Sequence, residues 1–285
     1  MRREAADAHG KPTDTSPDEE QVNTGTWMAP FRKTRVLRRG LSSLLLGALL
    51  WELVGQLWAN PLFFPPLSQI WTRFLELLAN GELAQDIAAS AQEYSLGLLM
   101  AIVVGTSIGV LMAASRFTRD VLDPWVSALY ATPVLALAPL FILIFGLGIQ
   151  SKVAVVFLVM VFPILINTLA GFSSTPGHLV EAARSFSANG RQVYVKVKLP
   201  MALPFLAAGL RLAASHGLVG IVVAEFFGAR QGVGLMISQA AQTFDTRALF
   251  VGIFILGMTG VTITYGLMAV ERRLSRWRIQ DSEEK

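Results

Sequence analysis

EAARSFSANGRQVYVKVKLP, Glu181 to Pro200, is a polar stretch set between two strongly hydrophobic segments. It is basic, ends in proline, and contains a short helical pattern with a small Ala182-Ala183 face. Apolar blocks on either side make the chain a membrane protein that holds this helix on one side of the bilayer. Placed there, the helix is offered to a soluble partner. The chain then reads as a subunit of a larger machine rather than a complete enzyme.

Composition supports the same class. With 53% hydrophobic and 15% charged residues among 285, and a mean hydropathy of +0.52, the chain does not match an ordinary soluble domain. Its apolar residues fall in blocks long enough to cross a bilayer, for which roughly 20 helical residues cover about 30 Å. Six spans are expected, near 41–59, 92–114, 124–147, 153–171, 202–227 and 249–270. The fold class is therefore all-α and polytopic. Residues 1–40 are read as a tail and basic flank, 41–270 as the transmembrane domain with a loop at 173–200, and 271–285 as a second tail. The first 26 residues are polar and poor in aromatics, the composition of a disordered segment, and no cleavable signal is expected.

Charge sets the orientation. One side of the six spans holds fifteen Lys and Arg, among them Arg32, Arg116, Arg184, Lys198 and Arg272; the other holds Arg73, Lys152, Arg230 and Arg247. Positive flanks stay inside, so both termini and the Glu181 loop are expected in the cytoplasm. A pI near 9.6 suggests nucleic acid, but these cations flank apolar blocks, so membrane lipid is the expected partner and nucleic acid is not.

Several chemistries lack their residues. The chain has no cysteine and only three histidines, with no HExxH spacing, so no metal site or thiol catalysis is expected. No nucleophile–base constellation stands out, and no GxxxxGK[ST] loop is present, so ATP-driven work requires another chain. Gly232-x-Gly234 follows no strand and reads as a turn.

Between the first two spans, Leu67, Ile70, Trp71, Phe74 and Leu78 recur at helical spacing, with Pro66 at the start and Asn80-Gly81 at the end. This predicts an amphipathic helix over 66–79 on the outer side, at the interface or against the bundle. Pro133, Pro139 and Pro163 favour kinks, which suit either a path that opens alternately or a static bundle. Gly209, Ala213, Gly217, Gly220 and Ala224 mark a close helix interface. Glu52 and Arg211, counted from the expected span ends, fall at similar depth; they form a candidate intramembrane pair, or each meets a backbone carbonyl or water. Glu93 and Glu225 are placed near the outer interface with easy solvation, and His216 is read as a hydrogen-bonded packing residue.

In the loop, Thr175-Pro176 reads as a helix start and Asn189-Gly190 as its stop. Leu179, Ala182, Ala183 and Phe186 share a shallow apolar face that suits a partner's groove, or equally the bilayer or the bundle. Glu181-Ala182-Ala183, Gly190 and Leu199-Pro200 together resemble the EAA loop of bacterial ABC importer permeases. The resemblance extends over roughly 61–270, through Gly81-Glu82-Leu83, Ala138-Pro139-Leu140, Phe145-Gly146-Leu147-Gly148, Phe162-Pro163 and Ala224-Glu225-Phe226. This wider pattern is similar to the branch that serves nitrate, sulfonate, taurine and thiamine-precursor uptake. Tyr130-Ala131-Thr132-Pro133-Val134 departs from the Ile-Pro-Pro run of many members and leaves the solute subgroup open.

The resemblance implies a type I ABC importer permease fold in the bacterial inner membrane and a homodimer. It also implies an ABC ATPase subunit, binding ATP and Mg, docked through Glu181, Ala182, Ala183, Phe186, Gly190 and Pro200, and an extracytoplasmic solute-binding protein. The alternative is a secondary transporter driven by an ion gradient, which favours an inverted repeat; none is visible.

Overall fold

The computed structural model describes residues 29–57, 60 and 62–274, and among them every regular element is a helix. The chain divides into two units, Met1–Leu50 and Trp51–Lys285. In the first, the described segment is the start of α1 (Ala29–Leu57), which begins ahead of the expected boundary at 41. Its leucines at 41, 44, 45, 46, 49 and 50 are all exposed, so the helix is apolar on several sides, as a lipid-facing span is. The expected disordered segment lies outside the described residues, as does the C-terminal tail from 275.

The second unit is built around α6 (Ile149–Ser173), which packs along α3 (Glu82–Ala114) on one side and α9 (Leu199–Gly228) on the other. Glycine permits this closeness. A Cβ on Gly105 would lie 2.9 Å from the Val161 carbonyl oxygen, and one on Gly109 would lie 2.7 Å from Thr168 Cβ. On the other side, a Cβ on Gly209 would meet Asn167 Cβ at 2.7 Å, and one on Gly217 would overlap Met160. The small-residue stripe read from the sequence is thus an interface inside the subunit. Val156, Met160, Val161, Phe162 and Ile164 of α6 fill the core with Ala101 of α3 and Ala213 and Ile221 of α9.

Among the described residues, five helices are long and apolar enough to cross a membrane, and a bent pair makes a sixth when taken as one span. That pair corrects the third expected span. α4 (Arg116–Ala131) starts before 124 and carries Pro124 inside it. A turn at Val134–Leu137 and α5 (Ala138–Phe145) then leave at 80° to α4. Pro133 forms the joint because it has no N–H to continue the helix and pushes Thr132 to extended geometry, at ψ 134°.

α2 (Leu67–Ala79) follows Pro66 and ends at Asn80, after which Gly81 takes φ +82°, as the sequence suggests. Its Ile70 and Leu77 pack with Ala248 and Val251 of α11 (Thr246–Leu274), while Trp71 and Leu78 stay exposed. Arg73 ties α2 to Asp245, just before α11, at 3.0 Å and pairs within the helix with Glu76 at 2.9 Å. Those two carboxylates hold the guanidinium above its ordinary pKa, against partial desolvation.

The same substitution at two glycines tests this packing. Gly109→Ala is expected to destabilise the purified protein by about 1–3 kcal/mol, because α3 and α6 must separate. Gly257→Ala, whose Cβ meets nothing within 4 Å, is expected to be neutral or stabilising through helix propensity. Melting temperatures in detergent that move the same way in both variants contradict the packing account.

Candidate functional site

The polar loop folds into α7 (Gly177–Ser185) and α8 (Gly190–Val193), joined through a π turn at Tyr194–Lys198 to α9. Its details differ from the sequence reading at both ends of α7. Pro176 occupies the N-cap position, and the Thr175 hydroxyl has no hydrogen-bond partner among the described residues. The stop falls at Ser187, which takes φ +59°. Ala188 N–H reaches Ala183 O at 3.1 Å and Ser187 N–H reaches Arg184 O at 2.8 Å, the paired bonds of a Schellman ending.

Asn189-Gly190 therefore opens the next helix rather than closing this one. Asn189 Oδ1 accepts from Gln192 N–H at 2.9 Å, and Gln192 Oε1 accepts from Asn189 N–H at 2.8 Å. The Asn-x-x-Gln spacing of this capping box was visible in the sequence. α8, the π turn and α9 form one continuous helical run, Gly190–Gly228. The π turn sits where Pro200 removes an N–H and its ring crowds the carbonyl of Lys196; Leu199 N–H bonds Tyr194 O, one residue further back than in an α-helix.

α7 turns Val180 and Ala183 partly inward and leaves Leu179, Glu181, Ala182 and Phe186 exposed. Phe186 is 88% exposed at the helix end. The ring thus stands on the outer side of a short helix, beside the exposed Leu179 and Ala182. Behind it, Phe172 at the end of α6 stacks on Tyr194 at 5.8 Å, and Lys198 lies 4.8 Å over the Tyr194 ring. These contacts tie the end of α6 to the π turn that leads into α9.

The expected Glu52–Arg211 pair does not form. Glu52 accepts from Ser68 Oγ at 2.6 Å and Ser68 N–H at 3.1 Å, at the start of α2 where no side chain of the helix caps it. Arg211 instead reaches Glu271 at 3.0 Å. Similar depth along two helices does not make their side chains meet: Ser68 takes Glu52, and Glu271 takes Arg211. His216 is exposed, with no side-chain hydrogen bond among the described residues, rather than a packed one. It lines a cavity of about 260 Å³ beside Tyr130 and Pro133 at the α4 break.

Glu93 and Glu225 are buried, not easily solvated. Glu225 is 0% exposed. Its carboxylate accepts from Ser90 Oγ at 2.6 Å and from Gly234 N–H at 2.6 Å, at the start of α10 (Val233–Gln242). Ser90 Oγ also accepts from Val233 N–H, and Asp86 Oδ1 from Gly232 N–H, both at 2.9 Å. The Gly-x-Gly turn therefore holds the chain's own carboxylate on a helix N-terminus. Gly232 needs its glycine twice over: φ is +139°, and a Cβ would strike the Glu225 carboxyl group. Lys152, 3% exposed, donates to the Leu147 and Gly148 carbonyls at 2.8 and 3.0 Å and stands 3.9 Å from Glu93. Its charge, which the sequence places in a flank of a span, is thus buried.

Fold and loop together define a polytopic helical subunit of a membrane transport machine. Residues 101–278 match the family described as binding-protein-dependent transport system inner membrane component, and the chain belongs to that family. It is 35% identical over 250 residues, 87% of this chain and 91% of the relative, to the putative aliphatic sulfonates transport permease protein SsuC of Bacillus subtilis (strain 168). The taurine transport system permease protein TauC of Escherichia coli (strain K12) is 31% identical over 88% of this chain and 93% of its own length. The formylaminopyrimidine transport permease protein ThiX of Halalkalibacterium halodurans is 32% identical over 80% and 91%. Among solved structures, the MetNI methionine ABC transporter in inward-facing conformations shares the fold, with a TM-score of 0.61, 18% identity, and coverage of 71% of this chain and 98% of that one.

Removing the Glu225 carboxylate is expected to cost about 2 kcal/mol or more, since it strands buried donors. Gly232→Ala and Glu225→Ala break the same turn, so their double mutant is expected to be less damaged than the sum of the singles in thermal melts. Simple additivity contradicts the shared turn.

Proposed function

We propose that this chain is the permease half of an ABC importer for a small organic anion of the sulfonate and taurine kind. Two copies form the path, α7 docks a separate ATPase subunit that binds ATP and Mg, and an extracytoplasmic binding protein delivers solute. Both termini and α7 lie on the cytoplasmic side, in keeping with the fifteen-to-four charge bias. The observation that carries the docking assignment is the exposed face of α7, with Phe186 88% exposed beside Leu179 and Ala182.

Glu181, Ala182 and Phe186 make the contact in this reading, while Ala183 sits beneath and keeps the helix low. Pro200 sets the π turn through which motion of α7 reaches α9. Gly190 is informative in another way. Its φ is not left-handed, and a Cβ there meets nothing within 4 Å of this chain. The position therefore leaves open room in which a partner's backbone can approach closely. ATP-driven closure of the docked subunits then moves α7, and the rigid connections to α6 and α9 bias the bundle between two states. The solute class rests on the printed functions of SsuC and TauC.

Ala182→Glu places a charge in the centre of this face without touching the core. Co-purification with the cognate ATPase subunit is expected to fall roughly tenfold or more, equivalent to about 1.4 kcal/mol. Membrane insertion and melting temperature should remain those of the parent. Full ATPase binding and full uptake in this variant would sink the docking assignment.

A further inference from the structure

At the end of the bundle that carries α7, a cavity of about 540 Å³ opens between α3, α4, α6 and α7. One wall is apolar, with Ala113, Ala114 and Val180 over the buried Met112 and Phe172. The rim carries Arg116, Arg119, Arg184 and Lys198 against a single carboxylate, Glu181. The three arginines make no side-chain ion pair or hydrogen bond among the described residues. Four cations around one cavity repel one another unless an anion joins them.

The backbone adds to the same potential. α4 begins at Arg116 and α7 at Gly177, both beside this cavity. Ser115 caps α4 only at Thr118 N–H, and α7 has no side-chain cap. The first N–H groups of both helices thus remain as donors, and both ends carry partial positive charge. The Thr175 hydroxyl on the cavity wall is buried without a partner among the described residues, as is that of Tyr194, whose ring touches both Phe172 and Lys198.

We propose that this cavity binds the phosphate headgroup of an anionic phospholipid, which clamps α7 against the start of α4. The phosphate oxygens accept from Arg116, Arg119 and the free Thr175 hydroxyl, while the acyl region covers Ala113, Ala114 and Val180. A free oxyanion satisfies the rim but leaves the apolar wall bare; a lipid satisfies both. Basic pockets at helix ends on the cytoplasmic side suit such headgroups. The site lies within a few residues of Glu181, so its occupancy sets how firmly α7 is held.

The test uses the full-length protein in detergent, titrated with phosphatidylglycerol or phosphatidylcholine and read by native mass spectrometry. Phosphatidylglycerol should be retained preferentially. The preference should fall roughly tenfold or more in R116Q/R119Q and persist in R230Q, whose cation lines another cavity. K198Q carries the same expected loss should the double variant not fold. Equal retention of both lipids, or an undiminished preference in a folded R116Q/R119Q protein, overturns the site. Binding of inorganic phosphate without lipid preference assigns the rim to a free oxyanion and overturns the lipid. Release of lipid by added ATPase subunit assigns it to that partner's acidic surface, with the same consequence.

Discussion

Along α6, the backbones of α3 and α9 come so near at Gly105, Gly109, Gly209 and Gly217 that no side chain fits between them. In lipid, where burying apolar surface between helices gains little, such contact is what holds a bundle together. It fixes α6 between its neighbours and so fixes what leaves each end. At one end are Phe172, Tyr194 and α7; at the other are the Gly146–Gly148 turn and Lys152.

Polar groups complete that arrangement without diluting it. Glu225, Ser90 and the Gly232 turn join α9, α10 and α3 with each named oxygen partnered, whereas Glu93 Oε2 has none among the described residues and borders a cavity of about 370 Å³ with Lys152 and Arg230. α3 has 33 residues, which at 1.5 Å each extend about 50 Å and exceed a hydrocarbon core of about 30 Å. Its first turns, with Asp86 and Ser90, therefore have length to spare for binding the α9–α10 turn.

Much of this was legible in the residues. Hydropathy located the apolar helices, Pro66 and Gly81 bounded α2, Pro133 marked the break, and the spacing of Gly209 to Ala224 marked an interface. What failed were inferences that need three dimensions. Hydropathy places the starts of α1, α3, α4 and the Gly190 run too late, and equal depth along two helices does not say that their side chains meet, so Glu52 and Arg211 find Ser68 and Glu271 instead. Asparagine and glycine suit a helix stop and a helix start alike, and only Gln192 distinguished them. The burial of Glu225 depended on a turn that is distant from Ser90 in sequence, which no local pattern encodes.

The central claim is that the exposed face of α7 is where another subunit engages the bundle. Because the chain contains no cysteine, a single one can be introduced without background. Cysteine at position 182, paired with single cysteines in the groove of the ATPase subunit, should cross-link with a short thiol reagent in assembled membranes. Cysteine at position 71, on the exposed side of α2, should not. Cross-linking at 71 but not at 182 would place the partner elsewhere and contradict the account.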